Sequence, residues 1–525
     1  MRASLTAAVS GTESGVQKRV HRFRGTLDVL GTNRHLKAAM RFSILHISDL
    51  HRDLRDEVAN GPLLDSLARD IERFGEQDPI ILKPSVCVVS GDLVYGVKPD
   101  HADSVGELER QYRQAEGFLN SLTDHFFEGD RERVVIIPGN HDISFPCVLA
   151  SSTRIEVPSD PSERKALTNE LFSPRSLLRW SWANFCFYRL TDDVLYEKRL
   201  NNFAEVYERF YRGARSFILN PEEQFQIFDY PSLGFAIVAL NSCYRNDPLR
   251  RAGGFNPTAF SAACRDLQHS SRLGWLIAAT WHHSVSGGPS EDDFLDVEFL
   301  QMLIDAGVSL GFHGHQHSHD CLDERYRLGP VERKITVVSA GTLCAEPRNL
   351  KPGVPRGFNV VEVDTDAWRG RVHSRHMIND SFTLPLWGPG HFYATGKSFV
   401  DFDVCRPLSK RPIQLDHRLV LDRADHCLGN AQWPEALELL REIKHLPLAR
   451  PLIVKALTEL GDDEVTIAVL HEPSSSAEVV LLGAALLGRG QKSDVESFLQ
   501  MPIVLQSLDA SVKEVVRRLK IRWPQ

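Results

Sequence analysis

Three short apolar runs, Phe42–Ile47 (FSILHI), Ser85–Val89 (SVCVV) and Val134–Ile137 (VVII), are separated by two stretches of helical periodicity, Leu63–Phe74 and Val105–Leu122. Runs this apolar and β-branched read as strands buried on both faces, and strand–helix–strand alternation predicts an α/β fold. Further strands are expected at Gly234–Leu240, Leu276–Trp281, Ser309–Phe312, Ile335–Ser339 and Phe358–Val363, with a helix at Glu298–Ala306. Several of these runs end in a polar word. The first three lead into Ser48-Asp49-Leu50-His51, Gly91-Asp92 and Gly139-Asn140-His141-Asp142. The later ones lead into Trp281-His282-His283 and Phe312-His313-Gly314-His315-Gln316-His317. Ligand sites in open α/β sheets lie beyond the carboxyl ends of the strands, so every word stands where chemistry is expected.

These words supply carboxylates, imidazoles and one amide, a mixed O/N donor set suited to divalent Mn, Fe or Zn. A carboxylate can bridge two metals, and a pair about 3.5–4 Å apart clamps the attacking and leaving oxygens of an in-line displacement. The glycines before Asp92, Asn140 and His315 free the backbone for sharp turns close to the metals.

The rest of the 525-residue chain frames this region. Residues 1–39 are locally basic and lack apolar periodicity, and they read as a disordered basic leader or as an arm for an acidic partner. Residues 150–230 are rich in aromatics at partly helical spacing and read as a small helical insertion, alternatively a lid. Clustered Pro and Gly mark a linker over 381–415. Residues 416–525 read as an all-helical, repeat-like module able to bind a protein partner, with expected helices at Pro434–Ile443, Pro451–Leu460, Ala477–Leu487 and Asp509–Leu519.

A net charge of −8 argues against coating by nucleic acid through bulk charge, and no apolar run approaches the roughly 20 residues of a membrane span. The 9 cysteines are scattered without a C-x-x-C pair, which excludes a zinc ribbon and fits a reducing, cytoplasmic setting.

In order, D-x-H, G-D, G-N-H-D, a lone His and G-H-x-H resemble the calcineurin-like metallophosphoesterase superfamily over roughly residues 41–375. The resemblance implies two packed β-sheets flanked by helices within residues 40–380, and hydrolysis of phosphate esters. It further implies Asp49, His51, Asp92 and His317 around a first divalent ion. Asp92 would bridge to a second ion, completed by Asn140, His282 and His315. His141 would donate a proton to the leaving oxygen, and a hydroxide held by the metals would attack phosphorus.

Neighbouring residues compete for these roles. Side-chain direction decides between His282 and His283; the family's H-H-P word favours His282, although Ser284 stands in place of the proline. His313 and His319 share the alternation of His315 and His317 but fall outside G-H-x-H. Asp142 reads as a loop-orienting carboxylate. Tyr95 resembles the iron-binding tyrosine of purple acid phosphatases, but His51 would fill that position, so Tyr95 reads as packing or substrate-facing.

The substrate is expected to be a phosphomonoester or phosphodiester, for example a cyclic nucleotide. One alternative is a nuclease of the same superfamily, with Arg175, Arg179, Arg189 and Arg212 contributing a basic track. Another is a non-catalytic scaffold that uses the fold for protein interaction.

Overall fold

A computed structural model describes residues 40–523 apart from 54–58, 99–102, 173–175, 286–293, 296–297, 327–332, 347–348, 380, 382, 393–394, 408–414 and 508. The leader 1–39 lies outside the described residues.

The expected strands form two mixed sheets. Arg41–Ile47, Val86–Val89 and Val134–Ile136 run parallel, and Gly357–Asp364 pairs antiparallel with the first of them. Arg369–Met377 extends this 7-stranded sheet and carries Trp387–Pro389 and Phe399–Asp403. In the 6-stranded second sheet, Phe235–Leu240, Leu276–Thr280, Leu310–His313 and Arg333–Ser339 are parallel. Phe225–Tyr230 and Asp320–Tyr326 close its edges antiparallel.

Side-chain alternation along each strand sets the layers. Phe235, Ile237, Leu276, Ala278, Leu310 and Phe312 join the apolar cluster that contains the first sheet, and Phe42 meets Phe235 with ring centroids 5.1 Å apart. Helices Asn60–Glu72 and Ser104–Phe126 contribute Leu63, Leu67, Phe118 and Leu122 to the same cluster. Ala236, Val238, Ile277 and Ala279 point the other way, against Phe260 and Ala263 of helix Pro257–Leu267 and Leu303 of helix Glu298–Asp305.

Two expectations need correction. The insertion is not helical alone: Ser152–Ile155, Leu178–Ser181 and Cys186–Leu190 form a separate 3-stranded antiparallel sheet beside helices Pro161–Leu171 and Asn201–Phe210. Arg179 and Trp180 alternate in Leu-Arg-Trp-Ser and Phe187 and Tyr188 in Cys-Phe-Tyr-Arg-Leu, so aromatics that suggested a helical stripe lie on strands instead. The 381–415 linker also contains sheet: Trp387–Pro389 and Phe399–Asp403 pair with Arg369–Met377, and Trp387 is buried with its indole N–H donating to Ser66 Oγ at 2.8 Å.

From Leu415–Gly429 onward the described chain is helical. Leu452, Ile453 and Leu457 of helix Arg450–Leu460 are buried in the cluster that holds the outer face of the second sheet. Arg265 pairs with Asp425 at 2.6 Å across this junction, and Lys455 pairs with Glu222. Each of these aliphatic side chains gains about 1.5–3 kcal/mol from burial. A chain ending at residue 414 bares that surface. It is expected to melt at a lower temperature than the full chain and to bind a dye for exposed apolar surface. An unchanged melting temperature without dye binding contradicts the shared core.

Candidate metal centre

The parallel strands of both sheets deliver their polar words to one seam. Asp49 and His51 follow Arg41–Ile47, Asp92 follows Val86–Val89, and Asn140 to Asp142 form a single 3₁₀ turn after Val134–Ile136. From the second sheet, His282 follows Leu276–Thr280, and His315 and His317 follow Leu310–His313. Backbone bonds lace the words together: Asp49 N–H donates to Gly91 O at 3.1 Å and His51 N–H to Asp92 O at 3.0 Å.

The turns demand unusual backbone. Of the 11 described non-glycine residues with positive φ, Asp49, His51, Asp92, His315 and His317 are all candidate ligands, with φ between 42° and 72°. Such conformations cost of order 1–3 kcal/mol each and persist only where the surroundings impose them. Close approach fixes the glycines as well. A Cβ at Gly139 would overlap the Asp92 carboxylate, and one at Gly314 would overlap Ser48 Oγ and the Asp49 carboxylate.

The side chains converge in linked groups. Asp49, His51 and His317 form one; Asp92, His282 and His315 form another; His51, Asp92 and His141 form a third, so Asp92 belongs to two. Asp49 Oδ1 lies 3.3 Å from His317 Nε2 and 3.7 Å from His51 Nε2. Asp92 Oδ2 lies 3.2 Å from His282 Nε2 and 3.7 Å from His51 Nε2. Asn140 Oδ1 lies 2.9 Å from both His282 Nε2 and His315 Nδ1. Asp49, His51, Asp92 and His282 form a buried floor, while Asn140, His141, His315 and His317 are half-buried at its rim.

Carbonyls behind the rings set which nitrogen faces inward. His282 Nδ1–H donates to Ser90 O and His317 Nδ1–H to Asn349 O, each at 2.8 Å, turning Nε2 of each ring toward the carboxylates. His141 Nδ1–H donates to Tyr95 O at 2.7 Å, and its backbone N–H donates to Asp92 Oδ1 at 2.8 Å.

The field is correspondingly strong. Burial works to raise the carboxyls of Asp49 and Asp92, but the surrounding imidazoles hold both below the usual carboxylate range. Burial opposes charge on His282 too, yet Asp92 pushes it up to about 9, whereas His51, dominated by burial, falls to about 4. A divalent cation fits this donor set. Among the described residues buried Asp49 Oδ1 has no hydrogen-bond partner, and His282 Nε2 and His315 Nδ1 both crowd Asn140 Oδ1, nitrogens that give up their protons when a cation takes their place.

The competing residues point elsewhere. His283 Nδ1–H donates to Ser242 Oγ at 2.9 Å, and its Nε2 accepts from Asn246 Nδ2 at 3.1 Å. His313 bonds Gly314 O, and His319 bonds His391 O. Asp142 accepts from the Gly139 and Leu93 N–H groups and from Tyr112 Oη, which orients the turn; burial and then Asp92 push its carboxyl up to about 7. Tyr95 contributes its carbonyl, with its ring 5.7 Å from that of His141. Sequence reasoning missed the carbonyls of Ser90, Tyr95 and Asn349 as orienting groups, because a backbone atom leaves no signature in residue identity.

A family model described as calcineurin-like phosphoesterase matches residues 42–319. The chain belongs to the calcineurin-like phosphoesterase family. Metal-ligating potential and phosphate-ester chemistry are therefore properties of the family to which this site conforms. No curated protein matches this chain. One similar solved structure is described as "GAP50 the anchor in the inner membrane complex of Plasmodium", with 10% identity over 72% of this chain and 93% of that one, at a TM-score of 0.30. No described helix of this chain is long and apolar enough to cross a membrane.

Gly139→Ala forces the Asp92 carboxylate out of its position. The variant is expected to keep its circular dichroism spectrum but to lose metal affinity by about 10–100-fold, the scale for disturbing groups that orient ligands. Unchanged metal affinity contradicts the close packing assigned to this turn.

Proposed function

We propose that the protein hydrolyses a phosphomonoester or phosphodiester at a site holding two divalent ions, Mn, Fe or Zn. The observation that carries this reading is the position of Asp92, a buried carboxylate common to two groups of convergent donors. Asp49, His51, Asp92 and His317 are the proposed ligands of one ion, and Asp92, Asn140, His282 and His315 those of the other. When bound, such ions supply positive charge for the phosphoryl oxygens and an activated water for attack on phosphorus. The seven ligand-type side chains and His141 all lie at one seam, which favours an enzyme over a scaffold. Nine free cysteines support a reducing, cytoplasmic setting.

His141 is the proposed acid. Its Nδ1–H is committed to Tyr95 O, so Nε2 is the nitrogen left to carry and deliver a proton at the half-buried rim. The nuclease alternative draws less support from its arginines. Arg179 is buried on Asp247 at 2.9 Å, and Arg189 is paired with Glu170. Arg175 lies outside the described residues.

Asp92→Asn is expected to lower bound metal and abolish hydrolysis, checked by elemental analysis beside turnover on aryl esters. A variant with two metals per chain and full activity contradicts the bridging role. His141→Ala is expected to keep its metal, barely slow nitrophenyl esters, and slow alkyl or nucleotide esters by about 10²–10⁴-fold. An equal loss across the leaving-group series points instead to stabilisation of transition-state charge, and loss of metal makes His141 a ligand.

A further inference from the structure

Helix Ser104–Phe126 is anchored in the core through Leu108, Tyr112, Ala115 and Phe118, which fixes what its neighbouring positions present to the metal-site turns. Gln111 is one of these positions, 2% exposed and set against the segment that follows Asp92. Its side-chain amide grips both backbone groups of Gly96. Gly96 N–H donates to Gln111 Oε1 at 3.0 Å, and Gln111 Nε2–H donates to Gly96 O at 3.3 Å. The second Nε2–H donates to Glu107 Oε1 at 3.4 Å. The amide is thereby set one way round, because the flipped form brings its oxygen against two acceptors.

The Gly96 N–H belongs to the same planar peptide as the Tyr95 carbonyl, so a bond that holds one also holds the other. That carbonyl accepts from His141 Nδ1–H at 2.7 Å. A continuous chain of hydrogen bonds therefore runs from Gln111 Oε1 through the Tyr95–Gly96 peptide to the imidazole of His141. Bonds in such a chain polarise one another, and an acceptor at the N–H makes the carbonyl beyond it a stronger acceptor. Backbone shape supports the same alignment. Gly96 has a φ of 80°, and a Cβ there would lie 3.1 Å from His141 O. Tyr95 N–H is tied to Arg52 O at 3.2 Å, which holds the segment one peptide earlier. Beside Gln111, Tyr112 Oη bonds the backbone carbonyl and Oδ1 of Asp142, each at 3.1 Å. Two consecutive residues of one helix thus grip the peptide that holds the His141 ring and the residue that follows His141 in the chain.

We infer that Gln111 is a positioning residue for His141: through the Tyr95–Gly96 peptide it keeps a proton on Nδ1 and leaves Nε2 as the nitrogen that exchanges a proton at the site. Its part in hydrolysis rests on the phosphoesterase reading with His141 as the acid; its control of the ring's tautomer does not.

Two measurements on the full chain separate these. Gln111→Met removes the bonds to Gly96 at nearly constant volume, and Glu107→Gln/Gln111→Glu restores an acceptor opposite Gly96 N–H. In the first measurement, nitrogen NMR reads the tautomer of His141 in chelator-treated protein with labelled histidines in alkaline buffer, the signal being identified by its loss in His141→Ala. Wild type is expected to show the Nδ1–H form, Gln111→Met a mixture of both forms, and the double variant a return to Nδ1–H. In the second, manganese-loaded Gln111→Met is expected to keep wild-type metal content and KM while kcat falls about tenfold more on a nucleotide ester than on a nitrophenyl ester, the scale of one lost buried hydrogen bond, and the double variant recovers it. An unchanged tautomer in Gln111→Met, an equal loss on both esters, or no recovery in the double variant overturns the proposal. If wild type hydrolyses no ester, or His141→Ala slows every ester alike, the reading beneath the catalytic role falls, and the tautomer alone decides the positioning.

Discussion

Placing the carboxylates of Asp49 and Asp92 out of water at the seam of two sheets is costly unless positive charge meets them there. The imidazoles of His51, His282 and His317 come within 3.2–3.7 Å of those oxygens. Each ring is neutral or charged by turns, so the balance at the seam depends on which nitrogens point inward. Carbonyls of Ser90 and Asn349 settle that for His282 and His317 by taking the Nδ1 protons. The resulting arrangement sets anionic oxygens and imidazole nitrogens in close opposition, an environment in which a divalent cation can replace the imidazole protons.

The remainder of the domain holds that arrangement against strain. Parallel strands are well suited to this, since their carboxyl ends all open on one edge and their bodies are buried on both faces. Five candidate ligands sit in left-handed backbone, and Gly139 and Gly314 are pressed against the very carboxylates they flank. Rigid sheet packing behind the turns, with Phe42 against Phe235 linking the layers, is what allows such conformations to persist. His283 shows the same economy: one residue from His282, it is tied by Ser242 and Asn246 and thereby anchors the segment between Leu240 and helix Pro257–Leu267.

Much of this was legible in the sequence because the site residues follow directly on apolar strand runs. FSILHI, SVCVV and VVII located the strands of the first sheet, and the words after them located the donors. The choice between His282 and His283 turned on side-chain direction, which residue identity does not carry: His283 bonds Ser242 and Asn246, while His282 Nε2 lies 3.2 Å from Asp92. Polar strands were harder to read. Asp320–Tyr326, an edge strand, and Arg369–Met377, an internal one, both carry many charged residues, and their pattern is too polar to register as strand. In the insertion, aromatics spaced for a helix proved to alternate along a hairpin, the usual ambiguity when tertiary packing overrides local periodicity. The shared core between the second sheet and the C-terminal helices was invisible for another reason: amphipathic faces announce that something covers them, not what.

The central claim is that Asp92 stands between two cation positions built from strand ends of both sheets. Anomalous diffraction from crystals of the manganese-loaded protein tests it most directly. The account predicts two anomalous peaks about 3.5–4 Å apart, one on the side of Asp49, His51 and His317 and one on the side of Asn140, His282 and His315, with Asp92 touching both. A single peak, or two peaks of which one lies beyond reach of Asp92, contradicts it.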